Sequence, residues 1–136
     1  MKKWLLMLCF VSIGAHAENW RSVGGSDASE LTIDVDSIKD NKGIREAWSM
    51  WNFSQPRATN DSDFPALRSY KDFQLYNCKE QTIKMTREII FADLDGQGDK
   101  RDHSDALKNM QFFKPAAGSV ADAMVQLVCN YDIPKK

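Results

Sequence analysis

Apolar and polar positions alternate most regularly in the second half of residues 69–92. Ile83, Met85, Arg87, Ile89 and Phe91 fall on one face, and Thr82, Lys84, Thr86, Glu88 and Ile90 on the other. A period of two, rich in β-branched and aromatic residues, is the pattern of a half-buried strand. Residues 69–79 are aromatic-rich and free of Gly and Pro, so a turn at residues 79–81 predicts a long antiparallel hairpin. The same alternation, Leu31, Ile33 and Val35 against Thr32, Asp34 and Asp36, predicts a strand over residues 30–38. Residues 19–23 form a shorter candidate strand, ended by Gly24 and Gly25. Asn41–Lys42–Gly43 is a tight-turn signal and opens a third long strand over residues 44–53. That strand carries Trp48 and Trp51, an odd spacing apart, so without a bulge the two rings point to opposite faces.

Near the C-terminus the period changes. Over residues 119–131, steps of 100° gather Val120, Ala121, Met124, Val125, Leu127, Val128 and Tyr131 on one arc, with Asp122, Gln126 and Asn130 opposite. Ser119 is placed to accept from the Asp122 amide as N-cap. A helix of this length is marginal alone in water and must pack on the sheet.

Between these elements lie two segments of loop chemistry. Residues 54–68 hold two prolines among Thr, Asn, Asp and Ser, and read as a loop that is long for a compact domain. Residues 93–104 imitate a calcium loop, with Asp93, Asp95, Gln97 and Gly98 in order. Ser104 stands where the bidentate Glu is needed and a strand precedes in place of a helix, so the segment reads as a turn. Residues 99–104 then add a short edge strand.

The first residues change the composition of what folds. Lys2 and Lys3 precede an apolar stretch over residues 4–13, and Ala15–His16–Ala17 gives the small-x-small pattern of signal-peptidase cleavage before Glu18. The apolar stretch is shorter than the about 20 residues a spanning helix needs. Residues 1–17 thus read as a signal peptide and residues 18–136 as a single domain. Without the leader the chain has 16 bases and 19 acids, net −3, one histidine (His103) and two cysteines. Mild acidity argues against nucleic acid as a partner. In an oxidising compartment Cys78 and Cys129 have only each other to pair with, which predicts a disulfide between hairpin and helix.

Little else carries chemistry. One histidine excludes a histidine-based zinc site, no P-loop or dinucleotide fingerprint occurs, and no elbow motif supports a Ser–His–Asp triad. Asp34 and Asp36 read as the solvated face of their strand, and Arg68, Lys71, Lys84 and Arg87 as an ion-paired face. No cofactor or metal is expected, and no catalysis.

Six short stretches in order resemble the surface-adhesin protein E family of Gram-negative bacteria. They are I-D-V-D-S-I at 33–38, I-R-E-A-W at 44–48, R-S-Y-K at 68–71, Y-N-C-K at 76–79, P-A-A-G-S at 115–119 and V-C at 128–129. The resemblance implies an antiparallel sheet of about six strands with a C-terminal helix tied across its concave face by a disulfide. It also implies an exported, non-catalytic adhesin that binds host matrix or serum proteins such as laminin and vitronectin. Cys9 lacks a lipobox, so the expected location is the periplasm or outer cell surface without a lipid anchor. The alternative is a periplasmic accessory or enzyme-inhibitor protein, whose strands share the Tyr76–Asn77–Cys78 pattern. A helix of about 20 Å leaves one sheet face uncovered. Trp48 belongs to a family stretch and suits the core, so Trp51, with Lys84 on the neighbouring hairpin, is the candidate partner-binding pair.

Intact-mass measurement of the exported protein is expected to show loss of residues 1–17 and no lipid. A retained leader or a diacylglycerol adduct on Cys9 contradicts the reading of the leader.

Overall fold

The computed structural model describes residues 18–64 and 66–135, so the leader expected at residues 1–17 lies outside the described residues. Seven strands form one antiparallel sheet: β1 (Trp20–Ser26), β2 (Ser29–Asp34), β3 (Lys39–Asn41), β4 (Ile44–Ala58), β5 (Ala66–Asn77), β6 (Thr82–Phe91) and β7 (Lys100–Asp102). Their order is β1-β2-β4-β5-β6-β7, with the short β3 also paired to β4. One helix, α1 (Val120–Asn130), follows. The antiparallel sheet, the C-terminal helix and the hairpin over residues 69–92 are as the periodicity predicts.

Three departures from the sequence reading have local causes. The strand expected over residues 30–38 stops at Asp34, because its carboxylate accepts from the Asp36 amide at 3.1 Å and caps a single 3-10 turn, Val35–Ser37. A second bond to Asp34, from the Asn19 amide at 3.0 Å, uses the carboxylate again. Asp34 and Asp36 are therefore not a pair on one strand face. The loop expected over residues 54–68 is mostly strand: β4 and β5 run on to pair Arg57 with Leu67 and Ala58 with Ala66. Pro56 is tolerated because it sits in the register shift between Asn52 and Arg57, where no ladder bond is asked of it. The third departure is a bulge. Phe73 pairs with Arg87 and Gln74 with Met85, so Thr86 is an extra residue and the alternation of β6 flips there.

One face of the sheet is sealed by α1. Leu31, Ile33, Ala47, Tyr76 and Ile83 from the strands and Met124, Val125 and Val128 from the helix form the buried cluster. Ser119 caps the helix, accepting from the Asp122 amide at 3.2 Å, while Asp122 accepts from the Gly118 amide at 3.0 Å. The other end is held by Arg45, whose Nη1 donates to the carbonyls of Val128 at 2.8 Å and Tyr131 at 2.7 Å. Beside it Cys78 and Cys129 are joined in a disulfide with Cα atoms 5.5 Å apart.

The bridge closes a separation of 51 residues. Chain entropy assigns such a loop about 4 kcal/mol, reduced by whatever strain the native state carries. Cys129→Ser is expected to lower stability by about 2–4 kcal/mol in urea unfolding, with amides of α1 losing hydrogen-exchange protection before those of β4 and β5. Unchanged stability, or uniform loss of protection, contradicts a tether that acts on the helix.

Candidate partner-binding face

Strand register decides which side chains share the face that α1 leaves open. Trp48, Phe73 and Arg87 are direct cross-strand partners on β4, β5 and β6. One pleat along, Met50, Lys71, Ile89 and Asp102 form the next row. The rings of Trp48 and Phe73 lie 5.1 Å apart with planes tilted 55°, the offset that ring quadrupoles favour. The Arg87 guanidinium lies 5.2 Å from the Trp48 ring centre. Lys71 Nζ lies 5.5 Å from the Trp20 ring and 5.9 Å from Phe91, and 3.4 Å from Glu18 Oε1. Cations with long apolar stems thus roof an aromatic surface, holding the charge outermost.

A groove of about 400 Å³ runs along this surface between Trp20, Trp48, Lys71, Arg87, Phe91 and Lys100. On the other side of Trp48 and Phe73 the lining turns acidic, with Glu18, Asp34, Asp36 and Glu46. The turn at residues 93–97 closes one end: Asn52 Nδ2 donates to Asp95 Oδ1 at 3.0 Å and Asn52 Oδ1 accepts from the Asp95 amide at 2.8 Å. Asp102, at the far edge, is held below the usual carboxylate range by hydrogen bonds from the side chain and amide of Ser104, with Arg87 adding a smaller charge effect.

The two tryptophans stand the other way round from the sequence expectation. Trp51 pairs with Leu31 and Tyr70 on the helix-covered face and packs against the core cluster. Its ring stacks on Phe53 at 6.3 Å and meets Tyr70 at 6.2 Å. Trp48 occupies the open face, and membership of a family stretch was no guide to burial. Lys84 does lie on the open face, across from Leu75, with its Nζ 5.6 Å from the Phe112 ring. Trp51 and Lys84 are therefore on opposite faces. Sequence reasoning missed Phe73, and named Arg87 only within an ion-paired cationic face. Phe73 is one strand across from Trp48 once the hairpin is registered, but Arg87 joins it only through the Thr86 bulge, which no residue type announces. Among the described residues no group of three or more His, Cys, Asp or Glu is arranged to hold a metal ion.

A scan against family models matches surface-adhesin protein E over residues 20–130. The chain belongs to the surface-adhesin protein E family. Among solved structures, crystal form II of Haemophilus influenzae protein E is similar at 16% identity and a TM-score of 0.60, over 73% of this chain and 79% of that one. The selenomethionine form of the same protein gives 16% identity and a TM-score of 0.58 over 85% and 94% of the two chains. No curated protein matches significantly. At that identity the likeness to protein E is one of fold: the sheet, the helix and the domain's outline.

On the helix side, between Ser49 and Glu88, Asp72 is fully buried, and neither carboxyl oxygen has a hydrogen-bond partner among the described residues. Burial pushes its carboxyl well above the ordinary range, and the Glu88 charge adds to the shift. An acid whose proton is held more tightly in the fold contributes stability that is complete below its unfolded value and fades as pH rises toward the folded one. Asp72→Asn removes that dependence. Urea unfolding is expected to show the variant gaining on the parent steadily from about pH 4 upward. A gap that stays constant with pH contradicts proton retention at Asp72.

Proposed function

We propose that this protein is an exported, non-catalytic adhesin-like module that meets a protein partner through the open sheet face centred on Trp48, Phe73 and Arg87. The observation that carries the reading is the aromatic pair with a guanidinium over it, on the face that α1 leaves open. Tryptophan and arginine are the side chains most enriched at interface hot spots, and an aromatic ridge with charged flanks matches the pattern of apolar centre and polar rim. Lys84 and Lys71 extend the cationic flank. Trp51, on the helix face, contributes to binding only if the partner also reaches that side. Family membership supports the adhesin class. It directs the search toward extracellular-matrix and serum proteins, with the periplasm or cell surface as the place of work; the absence of a lipid anchor rests on the sequence around Cys9 alone.

Trp48→Ala combined with Arg87→Glu is expected to weaken binding to laminin or vitronectin by at least about ten-fold in surface plasmon resonance. Trp51→Ala is the comparison, expected to lose thermal stability without a comparable loss of affinity. If the parent binds neither protein, matrix adhesion is the wrong partner class. If it binds and the Trp48/Arg87 variant binds equally well, the open face is not the interface.

A further inference from the structure

The helix-covered face has a second concavity that the open face and its aromatic ridge do not use. Beyond Trp51, a cleft of about 490 Å³ has Tyr70, Glu88 and Ile90 on its floor and residues 58–61 with His103 as its wall. Tyr70 and Ile90 are cross-strand partners, and Glu88 pairs with Asp72. The Glu88 carboxylate has neither an ion pair nor a hydrogen bond among the described residues. Cations nearby are otherwise engaged. Arg57 lies 4.5 Å from the Phe53 ring centre, and Arg101 lies 5.4 Å from that of Phe64. Asp61 Oδ2 is 3.9 Å from both Arg101 Nε and His103 Nε2.

Directly across from Glu88 and one pleat from Tyr70, Asp72 is buried on the same sheet face, behind the cleft lining, with both carboxyl oxygens unpartnered. The Tyr76 hydroxyl, on the same face, is also buried and unpartnered. A buried acid without an internal partner is rare in folded proteins and marks a position with something to serve. Leu67, Ala58 and Ile90 offer apolar wall, Tyr70 a ring face, and Glu88 a free negative charge. Metal coordination needs a closer grouping of donors than the described residues provide. An ammonium on an alkyl stem needs one carboxylate, an aromatic face and apolar contact.

We propose that this cleft is a binding site for a primary alkylammonium group, with its stem along Leu67 and Ile90 and its charge between Glu88 and the ring of Tyr70. Such a group is presented by a lysine side chain of a protein partner or by a free diamine.

The test is a methyl-NMR titration of the exported protein with cadaverine, using 1-pentanol as the uncharged control. Saturable shifts of the Leu67 and Ile90 methyls by cadaverine, with a Kd on the order of 1 mM, are expected. Glu88→Gln should weaken binding about ten-fold, the scale of one charge-assisted contact. Glu30→Gln, on the far side of the sheet, should leave binding unchanged. Equal shifts from pentanol, or unchanged cadaverine affinity in Glu88→Gln, overturn the proposal. Given cadaverine binding, an N-acetyl-lysine-N-methylamide that binds as tightly assigns the site to a lysine side chain, and one that fails to bind assigns it to a free diamine.

Discussion

The architecture depends on one short helix being pinned at its C-terminal end. The last carbonyls of a helix have no partners within it. Here Arg45, near the start of β4, donates to one of them, at Val128, and to the carbonyl of the capping Tyr131, and is itself steadied by Asp40 at 3.0 Å. A cation at that end is also favoured by the helix dipole. With the neighbouring disulfide, the two fastenings fix how far α1 reaches along the sheet. Met124, Val125 and Val128 seal the region around Leu31, Ile33 and Ala47. Beyond that reach, the stacked rings of Trp51, Phe53 and Tyr70 form the surface of the inner face.

Most of the fold was legible because most of it is periodic. The hairpin, the C-terminal helix and its Ser119 cap, and the single available cysteine pairing all follow from spacing and counting. What was not legible is irregularity. The Thr86 bulge turns Arg87 toward the same side as Lys84, against strict alternation, and brings Ile90 to the side of Ile83. The extension of β4 through Pro56 was hidden because proline and polar residues signal a loop, although a register shift accommodates them. The choice between Trp48 and Trp51 could be posed from the sequence, since their odd spacing puts them on opposite faces. It could not be answered there, because both faces of β4 are flanked by apolar residues. Register against Leu31 settles it: Trp51 is across from a core residue and Trp48 is not.

The two faces differ in how they handle charge. On the open face, Lys71 and Arg87 lie over aromatic rings, so their stems shield apolar surface while their charges stay in contact with water. On the inner face, Asp72 is buried without a counter-charge, and Glu88 beside it makes ionisation dearer still. The first arrangement is cheap and adaptable. The second commits the middle of the sheet to a destabilising group, and natural sequences keep such groups where they have a role.

The bulge between Ser22 and Gly24 in β1 and the shortness of β7 also bear on how molecules of this kind coexist at high concentration. A free strand edge is a template on which another chain can add. At one border of this sheet the kinked, glycine-bearing β1 spoils the straight row of donors and acceptors. At the other, three exposed charged residues, Lys100–Arg101–Asp102, leave too little backbone to copy. Both borders are poor seeds for indefinite stacking. A protein that folds beside its own copies gains a safeguard against fibres from this. It also leaves recognition to side chains on the faces, which can discriminate among partners in a way that bare backbone cannot.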